Sequence, residues 1–301
     1  MDNALIISDH LRNKRIKIFT RSFSLELYRY AHALFCDIAD IPVVRLTDQT
    51  ADGYFYTMLK DTDCDIAINI DEDCFLVDPQ TVLDLIQVVI ENDYANAGCP
   101  DGGSGCPRGG NPIVTNPFFN VLNLKLIRTK FASKNQISNF DYKAVLEQME
   151  EKFPKEILKG GYDFARTDYE PYYPFFFWLA YNFKTLYLVG EKHLDGFSTI
   201  LHAPDGRVIC MHSWLARFYN IPGFFVKYWQ KDAGKQKQRI DSLIDEVYGL
   251  RGFQRPHLTR CNHLQFVFDE LLRWSIKIPQ RIMGWPRKWA KWYRRWQEKN
   301  R

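Results

Sequence analysis

Asp65-Ile66-Ala67-Ile68-Asn69-Ile70-Asp71-Glu72-Asp73-Cys74-Phe75-Leu76 is the stretch that decides how this chain folds. A short apolar run bounded by acids reads as a fully buried strand over 65–70. The strand stops in three consecutive carboxylates. Adjacent carboxylates at the end of a buried strand are costly unless a cation neutralises them. Asp71 and Asp73 stand at i and i+2, so alternation turns them to one side and Glu72 to the other. Two oxygen ligands at that spacing suit a hard divalent ion such as Mg²⁺ or Mn²⁺ carrying a phosphate. The plainer alternative is a helix cap or an exposed turn.

The flanking sequence repeats a strand–helix rhythm. Arg15 to Thr20 predicts a first strand, and Ser24 to Phe35 a helix capped by Ser22 or Ser24. Pro42 to Leu46 predicts a second strand and Gly53 to Leu59 a short helix. Asp78-Pro79 opens a helix to about Glu91, with Val82, Leu85, Ile86 and Val89 inward. This alternation predicts an α/β fold with a mostly parallel central sheet and flanking helices. Ligands of such sheets gather beyond the carboxyl ends of the strands, where Asp71 and Asp73 stand.

Residues 98–112 carry six glycines and three prolines and predict a mobile loop, either a lid over a ligand or a surface excursion. The spacing matches neither a P-loop nor a dinucleotide fingerprint. Asn116 to Leu124 predicts a strand, 141–158 a charged surface helix, and the aromatic run 175–181 a buried helix that makes Tyr172, Tyr173 and Trp178 core residues. Thr185 to Val189 and Arg207 to Met211 predict further strands, the second ending at His212-Ser213-Trp214. Residues 235–249 and 263–277 predict helices.

With 301 residues and 46% hydrophobic content, the chain is large enough for one sizeable α/β domain, expected over 1–234, and a helical extension over 235–301. Seven scattered cysteines without a CxxC pair argue for reduced thiols in a cytosol rather than for zinc. Met1 to Ala4 starts no signal-peptide pattern, and no apolar run reaches 18 residues, so neither a leader nor a spanning helix is expected.

The formal charge of +4 is uneven. Lys277 to Arg301 holds nine Lys or Arg and one Glu, a net of +8, which leaves the remainder near −4. Ile278, Ile282, Trp285, Trp289, Trp292 and Trp296 fall at steps of three and four, with Arg287, Lys288, Lys291, Arg294 and Arg295 between them. Tryptophan on one face and basic residues on the other predict a helix lying in an anionic membrane interface, too charged to span it. The expected location is therefore cytoplasmic, on the inner face of a membrane. Docking on the chain's own domain is the alternative. Nucleic acid is not an expected partner, because no base-stacking module accompanies the arginines.

At Ile68-Asn69-Ile70-Asp71-Glu72-Asp73-Cys74-Phe75-Leu76 the chain resembles the glycosyltransferases of the GT-A fold, which carry a DxD motif at a strand end. The resemblance covers about 15–220. It implies that Asp71 and Asp73 hold Mn²⁺ or Mg²⁺ on the diphosphate of a nucleotide-sugar donor, and that His212 is a further metal ligand. Asn116 to Leu124 is similar to the family's Asn-rich strand after the donor-sugar loop, which assigns Asn120 to the donor, together with Asp71 and, from the glycine loop, Asp101 and Arg108. An inverting enzyme of this kind also needs a carboxylate base, with Asp168, Glu170 and Asp195 as candidates; a retaining one does not. With the basic tail, the resemblance implies a glycan or lipid-linked acceptor, as in surface-polysaccharide assembly. Two other readings stay open: a nucleotidyltransferase, although Arg12, Lys14, Arg15 and Arg21 near the first strand have no glycine among them, and a non-catalytic membrane-bound scaffold.

Overall fold

The computed structural model describes residues 9–216 except 39, 48, 104, 158 and 159, together with 219, 233–268 and 271. The chain falls into two units, Met1–Pro256 and His257–Arg301. In the second unit the described residues 260–268 are helical. The basic tryptophan stripe over 278–301 and most of the helix expected at 263–277 lie outside the described residues. The extension expected to begin at 235 starts with a helix, Ala233–Leu250, that belongs to the first unit. Its Ile240, Leu243, Ile244 and Val247 are buried there.

The first unit is built on a six-stranded sheet in the order β2-β1-β3-β6-β5-β7. Its strands are β1 (Ile16–Arg21), β2 (Val43–Leu46), β3 (Ile66–Ile70), β5 (Tyr94–Pro100), β6 (Thr115–Asn123) and β7 (Lys184–Tyr187). Pairing of β1 with β2 and β3, and of β5 with β7, is parallel, while β6 runs antiparallel to both β3 and β5. The expected mixed α/β fold with a mostly parallel sheet and flanking helices is what forms. One rim of the sheet therefore collects the carboxyl ends of β1, β3 and β5 and the amino end of β6. A second, antiparallel sheet joins β4 (Cys74–Leu76), β10 (Val208–His212), β9 (Thr199–His202) and β8 (Val189–Lys192) in that order. The strand expected over 185–189 is split at Leu188, and its two parts serve different sheets.

Local chemistry explains the helices. Asp78 accepts from the backbone N–H groups of Gln80 and Thr81 and Pro79 occupies the first turn, as expected, so the Pro79–Glu91 helix starts there. Ser24, not Ser22, caps Leu25–Ala33 through the Leu27 N–H. The charged segment expected as one helix over 141–158 is broken into Lys143–Val145, Leu146–Lys152 and Lys155–Ile157. Pro154 ends the middle piece, since proline disfavours helical backbone at the residue before it. The aromatic Tyr173–Asn182 helix buries Tyr173, Phe175, Phe176, Phe177, Trp178 and Leu179. Phe175 stacks on Phe55 at 4.8 Å and Phe177 on Tyr142 at 4.8 Å, so the aromatic run fills the core.

The glycine-rich segment is packed into the unit, contrary to the expectation of a mobile loop. β5 extends through Pro100, and Asp101, Gly102, Gly103, Asn111 and Ile113 are buried. A Cβ on Gly110 would lie 2.6 Å from the Asp101 carbonyl oxygen. Gly102 has φ +107 and comes equally close to Gly110, so two stretches of backbone touch where side chains would keep them apart.

Candidate active site

The acids stand where the sequence places them, at the carboxyl end of β3. Ile18 pairs with Ile68 and Phe19 with Asn69; continuing that parallel register sets Arg21 beside Asp71. The Asp71 carboxylate lies 3.8 Å from the Arg21 guanidinium, an ion pair too long for a hydrogen bond. The Asp71 N–H donates to the Phe118 carbonyl at 2.9 Å, which fixes the backbone, yet its Oδ1 is buried without a partner. Burial pushes the Asp71 carboxyl up to about 6; Arg21 opposes the shift and Asp73 adds to it.

β3 ends at Ile70 and the acids lie in the turn that follows, so contacts in that turn rather than strand alternation aim Glu72 at the end of β1. Its Oε2 accepts from the Ser22 hydroxyl at 2.8 Å and from the backbone N–H groups of Phe23 and Ser24 at 2.7 and 2.6 Å. It thus ties the end of β1 to the start of the Leu25–Ala33 helix. Burial outweighs these bonds and pushes its carboxyl up to about 8.

Asp73 is 5% exposed and His212 is 4% exposed. The pairing of β4 with β10 brings them together, with His212 opposite Cys74. The His212 Nε2 lies 3.3 Å from the Asp73 Oδ1, and the Ser213 hydroxyl donates to Oδ2 at 3.3 Å. Burial opposes the Asp73 charge, but the His212 contact holds the carboxyl below its ordinary value. The His212 ring lies between Phe118, stacked at 4.4 Å, and Trp214, tilted at 4.4 Å. Its Nδ1 is buried without a partner.

A second cluster adjoins the first through Trp214. Asp101, fully buried, accepts from the Asn116 amide at 2.7 Å, the Tyr173 hydroxyl at 2.8 Å and the Tyr172 hydroxyl at 3.1 Å. Arg108 pairs with Asp101 at 3.4 Å and with Glu170, and its guanidinium lies over the Tyr169 and Trp214 rings at 5.2 and 5.5 Å. Burial works against the Arg108 charge, but Asp101, Tyr172 and Glu170 together raise its pKa well above the ordinary value.

Of the residues singled out in the sequence, contacts through Trp214 link Asp73, His212, Asp101, Arg108 and Glu170 in one network, and Asp71 stands two residues before Asp73, paired with Arg21. Three lie apart from it. Asn120 is inside the sheet, opposite Asn69, with its amide on the Thr115 hydroxyl at 3.0 Å. Asp168 is exposed. Asp195 occupies the β8–β9 turn, where it accepts from the Phe197 and Ser198 N–H groups and from Arg239. Arg21 and Glu72 belong to the site, and sequence reasoning gave neither a functional role. The signal for Arg21 is its position at the end of a strand parallel and adjacent to β3.

Among the described residues, no three His, Cys, Asp or Glu side chains form a ready-made metal cage. A Mg²⁺ or Mn²⁺ bound to a diphosphate needs only one or two protein carboxylates, because phosphate and water supply the other ligands. Asp71 and Asp73 fit that open arrangement: one is destabilised by burial with a free oxygen, and the other is already oriented by His212 and Ser213.

No family model matches the chain, and no curated protein does. Among solved structures the chain is similar to a glycosyltransferase involved in the glycosylation of the major capsid of PBCV-1, at 15% identity and a TM-score of 0.27, over 49% of this chain and 79% of that one. A likeness at that level bears on neither activity nor substrate. No helix among the described residues is long and apolar enough to cross a membrane.

Proposed function

We propose that this chain is a GT-A-like glycosyltransferase that moves a sugar from a nucleotide-diphosphate donor to an acceptor hydroxyl, with Mn²⁺ or Mg²⁺ as cofactor. The observation that carries this reading is the partly buried Asp71 carboxylate, whose Oδ1 is buried and unpartnered, next to the Asp73–His212 pair at the carboxyl-end rim of a mostly parallel sheet. Asp71 and Asp73 would hold the cation, which when bound offsets the charge that grows on the departing diphosphate. His212, packed between Phe118 and Trp214, keeps Asp73 aimed, either as a further ligand or from behind it. Glu170 is the carboxylate best placed to take the acceptor proton in an inverting reaction: it is partly exposed and tied to the site through Arg108. Tyr169 and Trp214, whose rings both lie near the Arg108 guanidinium, offer aromatic faces to a sugar.

The acceptor we propose is a glycan or lipid-linked sugar, reached from an anionic membrane surface that the basic tryptophan stripe over 278–301 attracts. The test is a thermal-shift screen of the full chain against UDP-, GDP-, CMP- and dTDP-sugars, with Mn²⁺ and with EDTA. A metal-dependent rise in Tm with one donor class is the expected result. No shift with any donor would leave the chain a non-catalytic scaffold.

A further inference from the structure

Other largely buried arginines in this molecule have close acceptors: even Arg108, whose Nε is buried without a partner, pairs with Asp101 at 3.4 Å and with Glu170. Arg128 donates to the carbonyls of Leu59, Cys64, Asp61 and Met58 at 2.6 to 3.3 Å. Arg239 donates to Ser198, Asp195 and the carbonyls of Ser213 and Trp214. Those guanidiniums hold the fold together.

Arg21 does not behave this way. Its side chain is only 18% exposed, and its Nε is buried with no acceptor. The guanidinium lies over the Phe23 and Tyr54 rings at 5.1 and 5.3 Å, and its carboxylate neighbour, Asp71, stays at 3.8 Å. A largely buried guanidinium with an unpaired Nε–H is expensive. Asp71 mirrors this state with an unpartnered oxygen of its own. The two groups stand side by side, one with a spare Nε–H donor and the other with a spare acceptor. Their complement is a ligand that presents an anion and a cation next to each other.

We propose that Arg21 binds a phosphate group of a metal-complexed diphosphate ester, while Asp71 faces the metal of the same complex. The planar guanidinium fork suits two phosphate oxygens, and the aromatic rings beneath it fix its orientation without consuming its N–H groups. The inference rests on the reading of Asp71 and Asp73 as the cation site.

The test is calorimetric titration of the full chain with UDP, GDP and inorganic pyrophosphate in the presence of Mn²⁺, using wild type, Arg21→Lys and Arg21→Gln. Arg21→Gln should bind about tenfold or more weakly, since a charge-assisted hydrogen bond is lost, and Arg21→Lys should recover part of the loss. Loss of affinity for the nucleotides and pyrophosphate alike places the contact at the phosphates. If wild type binds and Arg21→Gln binds equally tightly, the inference is overturned while the glycosyltransferase reading stands. If wild type binds none of the three, both fall. A second measurement covers an Arg21→Gln variant that fails to fold: in ¹⁵N-arginine-labelled wild type, adding UDP and Mg²⁺ should shift one Nε–H resonance that is missing from the Arg21→Lys spectrum. An arginine Nε–H spectrum unmoved by UDP overturns the inference.

Discussion

His212 Nε2 sits 3.3 Å from the Asp73 Oδ1, held there by a strand pairing between β4 and β10 that no local signal announces. The pairing orients the second acid of the motif from behind, whereas Asp71 meets only the distant charge of Arg21. The two carboxylates are therefore differently prepared: Asp73 is held below its ordinary pKa by His212, and Asp71 is pushed up to about 6 by burial with one oxygen unpartnered.

Asp73→Asn should remove the Mn²⁺-dependent thermal shift with the preferred nucleotide-sugar while leaving a folded protein, because the amide keeps the shape and loses the charge. His212→Gln should weaken the Mn²⁺ dependence by about ten- to a hundredfold, the range expected when a group that orients a metal ligand is lost. Calorimetric Mn²⁺ titration in the presence of donor measures both. An Asp73→Asn protein with undiminished Mn²⁺ response would remove the acid pair from the mechanism.

Acid stability should depend on a pair far from the site. Arg15 donates Nε and an NH₂ group to the two Asp65 oxygens at 3.0 and 2.8 Å. That hydrogen bonding holds the Asp65 carboxyl at about 2, below its ordinary 3.8. A depressed carboxyl stabilises the fold fully above the unfolded value, and the contribution fades as pH falls from about 4 to 2. Arg15→Met should therefore be less stable than wild type at pH 7, with the gap closing as the pH approaches 2. Urea denaturation at pH 7, 4, 3 and 2 reads the gap; a deficit of constant size would mean the pair acts through packing.

The parts of the fold that were legible share one property: their signal is local. β3 announced itself through an unbroken apolar run, and the Pro79–Glu91 helix through Asp78 and Pro79. β5 went unread because Tyr94-Ala-Asn-Ala-Gly-Cys-Pro100 carries no branched residue and no alternation. It is a central strand between β6 and β7, and small residues suit that crowded place: a Cβ on Gly98 would be 3.0 Å from the Thr115 Cβ. The second sheet was invisible for a different reason, since three-residue β4 gains its identity only from pairing with a strand from the far end of the unit. In the site, Asp71, Asp73 and His212 were legible as acids at a strand end and a histidine after another strand. Arg21 was not, because an arginine at the end of a strand is normally a solvated surface group; only the register with β3 buries it.

Two glycines should respond to alanine in opposite directions. Gly110→Ala would push a methyl group to 2.6 Å from the Asp101 backbone oxygen, an atom with no freedom to yield, and should cost about 1–3 kcal/mol. Gly249, in the last turns of the Ala233–Leu250 helix, has no atom within 4 Å of an added Cβ, so Gly249→Ala should stabilise by about 0.5–1 kcal/mol. Chemical denaturation of both variants decides whether the glycine segment is packed as described. A Gly110→Ala protein as stable as wild type would restore the picture of a loose lid.

Arg239 should control the site through the backbone of Ser213 and Trp214. Trp214 and Leu215 have φ of 59° and 60°, a left-handed conformation that costs non-glycine residues about 1–2 kcal/mol each. The Arg239 guanidinium spans this turn: one nitrogen donates to the Ser213 and Trp214 carbonyls at 2.6 and 3.2 Å, and another to the Ser198 hydroxyl and Asp195 at 2.6 and 3.1 Å. Asp195, one of the carboxylates proposed as a base from sequence, is thus the anchor that fixes this arginine. Arg239→Lys keeps the charge but cannot reach all four acceptors, because an ammonium is a single point rather than a fork. The variant should lose about 2 kcal/mol in chemical denaturation. Its indole emission should also change, as the Trp214 N–H leaves the Thr199 hydroxyl at 2.8 Å and the ring leaves its place against His212. Donor affinity with Mn²⁺ should fall with it, since His212 loses the ring that holds it against Asp73. An Arg239→Lys protein with native emission and native donor affinity would show that the strained turn holds its shape on its own.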